Sequence, residues 1–200
     1  MGNRRVLVAI IVAVLIVAGV FGYARLAQGG SSEIVKGESY WEVVTTFTDG
    51  STATCVEARN PFEAIVMAVM PQNEEKEISQ IDFILHVNFD RPVYIENTAP
   101  AILVTVTRND TGETMVLDKV NVSFPAEAQT SFTATKITVT GSQLTSLLPP
   151  KGNEYEAKLC LEGVVILLIE TAEGKTGNVH IAVSLEYPLK IPAVNATVSS

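Results

Sequence analysis

The chain has 200 residues, enough for one main hydrophobic core plus extensions. It is 47% hydrophobic and 18% charged, with a net charge of −8. Residues 1–25 contain three arginines and no acid, so the remainder holds 11 basic against 22 acidic residues, a net charge of −11. So acidic a surface repels phosphate backbones, and no Lys/Arg cluster offsets it, which excludes nucleic acid as a partner.

In chain order, Met1 to Arg5 ends in a pair of arginines and precedes Val6 to Ala24, nineteen residues without a charge. A helix of that length, at ~1.5 Å per residue, just crosses a hydrocarbon layer of ~30 Å. No polar face interrupts the run, so it reads as a transmembrane helix over residues 6–24, with the lipid bilayer as its partner and residues 1–5 as a cytoplasmic tip. Arg4 and Arg5 before the helix against Arg25 after it place the N-terminus inside and the acidic remainder outside, making this a single-pass cell-membrane protein. Small residues at Gly22-Tyr23-Ala24 and Ala27-Gln28-Gly29 offer cleavage sites that would release the domain. The apolar run exceeds the usual signal-peptide core of about 7–15 residues, which favours a retained anchor. Residues 25–38, with Gln28-Gly29-Gly30-Ser31-Ser32, form a flexible spacer.

Residues 39–76 are expected to form a β-hairpin and a short helix. Tyr40 to Phe47 is rich in aromatic and β-branched residues, Thr48-Asp49-Gly50-Ser51 signals a turn, and Thr52 to Ala58 resumes the strand pattern. Asn60-Pro61-Phe62-Glu63 has the form of a helix start, with Asn60 as cap and Pro61 at the first position, and Pro71 is the stop. The polar run Gln72 to Lys76 is the joint to the second subregion.

Residues 77–192 read almost entirely as strands. Ile81 to Val87 alternates with period 2; Val93 to Ile95 follows Pro92; Ile102 to Arg108 and Thr114 to Val122 flank the hairpin turn Asn109-Asp110-Thr111-Gly112. Thr130 to Thr140 alternates up to Gly141, and Gln143 to Leu148 suits one helical turn. Tyr155 to Ala172 is a long run that Gly163 is expected to kink or bulge, and Gly177 to Tyr187 closes the set before the tail 193–200. Seven or eight strands so spaced argue a β-sandwich. The mainly β fold thus carries an N-terminal transmembrane helix and a small hairpin–helix extension.

The order Val87-Asn88-Phe89-Asp90, Arg91-Pro92-Val93-Tyr94-Ile95, the hairpin over Asn109 to Gly112, Phe124-Pro125-Ala126 before a Thr-rich strand, and the ending Tyr187-Pro188-Leu189-Lys190-Ile191-Pro192 resembles the WHy (water stress and hypersensitive response) domain of atypical late embryogenesis abundant proteins. The resemblance covers residues 78 to 192. It implies an antiparallel Greek-key sandwich, and a non-enzymatic module associated with stress protection, often exported and membrane-anchored in microbes.

Candidate chemistry is sparse. His86 and His180 should both lie on the polar faces of their strands as solvated imidazoles, and a shared metal would need further ligands. Phosphate loops, zinc-protease and calcium-loop motifs, Gly-x-Ser-x-Gly and Cys-x-x-Cys do not occur, so no catalytic, cofactor-binding or metal residues are assigned and a hydrolase is disfavoured. Glu74 to Glu77 reads as a solvated charge run, while calcium ligands converging from separate loops stay open. Cys160 sits on a polar face with Lys158 and Glu162, and its one available partner outside the cytoplasm is Cys55. The pair is either a disulfide, closing a loop worth up to ~4.7 kcal/mol, or two unpaired thiols. Asn109, Asn121 and Asn195 are glycosylation acceptors in a modifying host. The residues therefore point to an anchored envelope module, structural, protective or binding, that touches itself or another envelope protein. The competing reading is a subunit of a surface filament or envelope layer, assembled by adding Leu26 to Lys36 or Ala193 to Ser200 to a neighbour's sheet edge.

Overall fold

The computed structural model describes residues 34–56, 60–62, 67–68, 76–117, 120, 122–147 and 155–191. The expected anchor over 6–24, the tip 1–5, most of the spacer, the joint 72–75 and the tail 193–200 lie outside them. Among the described residues no helix is long and apolar enough to cross a membrane.

The chain is mainly β: 72% of the described residues are in strands. They are β1 Gly37–Phe47, β2 Thr52–Val56, β3 Asn60–Pro61, β4 Met67–Ala68, β5 Ile78–Arg108, β6 Thr114–Leu117, β7 Gln129–Thr133, β8 Ile137–Thr140, β9 Tyr155–Thr171 and β10 Thr176–Ile191, with one short helix, α1 Gly141–Leu147, after β8. The strands form one curled sheet of order β2-β1-β5-β9-β10-β4, antiparallel except for β4 against β10.

β5 makes the curl. Its 31 residues join what sequence spacing divides into three strands. Residues 78–89 pair with β1 on one side and with β7 and β8 on the other, whereas residues 93–108 pair with β9 and β6. Between them Asp90, Arg91 and Pro92 are exposed, and register shifts there as the strand passes from a first layer to a second. The layers face each other through one core. Phe83 of the first meets Tyr187 of the second edge to face at 6.2 Å, and the Thr45 and Tyr187 hydroxyls hydrogen-bond at 2.6 Å. Trp41, Val43, Leu85 and Val87 alternate inward from one layer and Leu159, Leu161, Leu167 and Ile181 from the other. Burying each such side chain stabilises by about 1.5–3 kcal/mol, which makes this shared interior the main force holding the curl.

Several local expectations hold. The β1–β2 hairpin turns at Thr48 to Gly50, with Phe47 N–H donating to the Ser51 carbonyl at 2.9 Å. The Asn109 to Gly112 turn joins β5 to β6, and α1 supplies the expected helical turn. Gly163 is an irregular point: its φ is +148°, and a Cβ there would lie 1.9 Å from the Ala101 carbonyl oxygen, so only glycine lets β9 approach β5 so closely.

Other expectations are corrected. Asn60–Pro61 is a strand against β1 and Met67–Ala68 a strand against β10, one on an edge of each layer, so the described part of the helix expected from the Asn60 cap is extended, while residues 63–66 and 69–71 lie outside the described residues. Sheet-edge pairing has outweighed a local capping signal. Nor is the hairpin a separate unit docked on a sandwich, because β1 is paired with β5 from Gly37 to Phe47. The Thr130 to Thr140 run breaks into β7 and β8. Phe132 and Ala134 face the core, then Ile137 and Val139, so the alternation slips by one residue while Thr135 N–H turns aside to the Ser123 carbonyl.

Candidate functional site

Period-2 alternation puts polar residues of β1, β5, β7 and β8 on the outer face of the first layer, and the register sets them side by side. Glu38, Asn88 and Ser131 share one row, and Tyr40, His86 and Thr133 the next. Val44, Asp82 and Thr138 form a row further along.

His86 is the centre of this face. Its ring stacks on Tyr40 at 4.6 Å between centroids and 10° between planes. Its Nε2 lies 2.9 Å from Glu42 Oε2 and its Nδ1 3.2 Å from Thr133 Oγ1. The side chain is 16% exposed, so the expectation of a solvated imidazole is corrected to an ordered, partnered one. In the neutral ring Nε2–H donates to Glu42 and Nδ1 accepts from the Thr133 hydroxyl; in the imidazolium both nitrogens donate. The rows are extended by Ser131, whose hydroxyl donates to Asn88 Oδ1 at 2.7 Å.

Asp82 anchors the other end. Its carboxylate accepts from Thr138 Oγ1 at 2.6 Å, from Gln80 Nε2 at 2.8 Å and from Lys136 Nζ at 2.9 Å. Burial alone would raise its pKa, but the hydrogen bonds from Thr138, Lys136 and Gln80 outweigh it and hold the group below the ordinary carboxylate value.

A hydroxyl, an imidazole and a carboxylate in line are the parts of a nucleophile–base–acid relay. Acyl-transfer chemistry also needs donors aimed at a developing oxyanion. The N–H groups that follow Thr133 are engaged: Ala134 N–H donates to the Leu85 carbonyl and Thr135 N–H to the Ser123 carbonyl. The stack of Tyr40 on His86 across neighbouring strands also covers one face of the imidazole. The arrangement can hold a proton and tie three strands together.

No protein-family model, curated protein or solved structure matches this chain. Its functional reading rests on its own residues.

The remaining sequence candidates are scattered. His180 lies on the outer face of the second layer, away from His86, so the two imidazoles cannot share a metal, and among the described residues no three His, Cys, Asp or Glu side chains are grouped to hold one. Of the two readings left open for Cys55 and Cys160, a disulfide or two unpaired thiols, the disulfide is not formed: both thiols are free. Cys55 is paired with Val43 and packs against the core, whereas Cys160 is beside Glu186 and Thr105 on the outer face of the second layer. They point to opposite sides of their sheet, which no rotamer repairs. Burial, helped by Glu186 and Glu162, pushes the Cys160 thiol up to about 11. Asn109 is exposed at its hairpin tip; Asn121 and Asn195 lie outside the described residues.

The Glu42–His86–Thr133 line and the Asp82 cluster were not found by sequence reasoning. The one signal that could have found them is the pairing of β1 and β7 with β5, which alternation alone does not determine.

Proposed function

We propose that the chain is a membrane-anchored, extracytoplasmic protein whose curled sheet is a Greek-key β-sandwich of the WHy-like kind, acting as a non-enzymatic structural, protective or binding module at the cell envelope. The observation that carries this reading is the uncharged run Val6 to Ala24 behind Arg4 and Arg5, followed by an acidic β domain. Two features of the fold support it. The first described residues enter at one end of the sheet, where Lys36 and Asp90 are joined by two backbone-mediated hydrogen bonds and Ile34 lies over Gly177. β10 ends at the opposite end, beside the Asn109 hairpin, so a tether at Ile34 would hold that hairpin away from the bilayer. The outer-face polar groups of the first layer bond mainly to one another, as stitching does.

Protease added to intact cells tests the reading. It should digest the β domain and leave an N-terminal peptide containing residues 1–24 in the membrane fraction. Full protection of the chain, with its recovery from the soluble cell interior, would overturn it.

The edges favour assembly as a second reading. Among the described residues β2 is paired only with β1 and β6 only with β5, and Val56 and Val116 on these edges are 58% and 64% exposed. Filaments of purified chain in electron micrographs would support strand addition; monodisperse particles would reject it.

A further inference from the structure

The hairpin between β5 and β6 turns through Asn109, Asp110, Thr111 and Gly112, an asparagine with a hydroxyl two positions on, and all four residues are exposed. The turn beneath them is fixed. Arg108 N–H donates to the Glu113 carbonyl and Gly112 N–H to the Arg108 carbonyl, each at 2.9 Å, with Gly112 at a φ of +66°. Asn109 N–H is held by the Glu156 carbonyl of β9 at 3.0 Å, but among the described residues nothing bonds its carboxamide. Thr111 Oγ1 accepts from Glu113 N–H at 3.3 Å, which leaves its own O–H to donate. Asp110 accepts from Arg108 Nε at 2.9 Å and Nη2 at 2.6 Å, so its charge is offset. The same pattern recurs at Asn121-Val122-Ser123, and the fold treats it in the opposite way. Val122 is 5% exposed in the core. Ser123 is tied to Thr135: its N–H and hydroxyl donate to Thr135 Oγ1 at 3.0 and 3.4 Å, and its carbonyl accepts from Thr135 N–H at 2.8 Å.

We propose that the folded domain carries an N-linked glycan at Asn109 and none at Asn121. The proposal rests on the extracytoplasmic reading, because asparagine followed by x-Ser/Thr accepts sugar in exported chains. The donor is an oligosaccharide joined through phosphate to a membrane lipid, and a transferase supplies the base. The Asn109 amide nitrogen attacks the anomeric carbon, and the bond from that carbon to the phosphate oxygen breaks. The lipid phosphate leaves with the electron pair, and one amide proton passes to the base. A transferase has to bind the hydroxyl two positions on and reach the amide from solvent. Asn109 and Thr111 allow both with every strand in place. At Asn121 the same grip needs Val122 drawn from the core and the Ser123–Thr135 bonds broken. The donor is also anionic, and a bare carboxylate beside the acceptor would repel it; the Arg108 guanidinium offsets that of Asp110.

The test is mass spectrometry of peptides from the full chain, purified from its own cells and cut between the two sites. The peptide holding Asn109 should carry added sugar mass and release sugar fragment ions, and the peptide holding Asn121 should be bare. Asn109→Gln and Thr111→Val should each lose the sugar, while Thr111→Ser, which keeps the hydroxyl, should retain it. Bare Asn109, sugar at Asn121, or sugar that survives Thr111→Val overturns the proposal. Protease added to intact cells reads the location separately. A chain digested there yet bare at Asn109 sinks the glycan and leaves the extracytoplasmic reading standing. A chain that is both protected and bare sinks the two together.

Discussion

The two layers have inner faces built alike and outer faces built differently. Inside, both alternate Val, Leu, Ile and aromatic residues at every second position. Outside, the first layer carries Asp82, His86, Asn88 and their partners, and the second carries an uncharged strip around Ile166. Strand length supplies a reason. In the first layer β5 is flanked by β7 and β8, of five and four residues, whose backbone ladders are short. Side-chain bridges such as Thr138 to Asp82 and Ser131 to Asn88 add to them. In the second layer β9 and β10 are 17 and 16 residues long and paired along their length, so the backbone ladder carries more of the pairing, with Lys158 to Glu186 a side-chain bridge across it.

The comparison can be broken first at the point where the second layer depends on backbone approach. Gly163→Ala places a Cβ against the Ala101 carbonyl at a φ of +148°. We expect a loss of about 3 kcal/mol or more, read as a lower urea midpoint by Trp41 fluorescence. A loss under about 1 kcal/mol would mean that the β5–β9 ladder is not what holds that layer.

The next effect belongs to the first layer. Asp82→Ala should cost about 1.5–3 kcal/mol, because Thr138, Gln80 and Lys136 lose a charged acceptor whose side chain is 10% exposed. Its folded pKa lies below the ordinary 3.8. Its contribution is therefore whole above the unfolded value and is lost as pH falls through the folded one. Stability measured below pH about 4 should fall less steeply in Asp82→Ala than in the parent chain. Parallel acid curves would show that the cluster does not stitch the layer.

Much of the inner architecture was legible in sequence. The period-2 runs Ile81 to Val87 and Val179 to Tyr187, and the turns at Gly50 and Gly112, mark strands and hairpins because water separates the two faces of a strand. Pairing was not legible. That β1 lies beside β5, and that β5 runs unbroken through Pro92, depends on contacts between residues far apart in the chain. The Asn60-Pro61 cap misled for the same reason: a local preference of about 1 kcal/mol competes with ladder bonds on two edges. The histidine reading was half legible, since alternation puts His86 outside but only register gives it Tyr40, Glu42 and Thr133.

Between the layers a smaller effect is expected. Tyr187→Phe removes the hydroxyl that meets Thr45 and should cost about 1 kcal/mol. Burial pushes this phenol from 10.0 up to about 12, with the Thr45 hydrogen bond pulling the other way. The unfolded chain then gives up the proton first, so stability is full below pH 10.0 and falls as pH rises to about 12. Circular dichroism across that window should show an alkaline loss in the parent chain that is reduced in Tyr187→Phe. Equal loss in both would remove the buried hydroxyl as a link between layers.

The smallest effect separates the core side of the first layer from the outer face of the second. Cys55 lies on one and Cys160 on the other, and both are free. Replacing both by serine should shift stability by no more than about 1 kcal/mol, since neither thiol bridges anything and Cys160 already borders solvent. The parent chain should melt at the same temperature with and without reductant. Non-reducing mass spectrometry should find two thiols, with Cys160 alkylated slowly at neutral pH because its pKa is about 11 and the thiolate is the reactive form. A melting temperature that drops on reduction would mean a covalent tie between faces that point apart, and the assignment of inner and outer sides on β2 or β9 would have to be reversed.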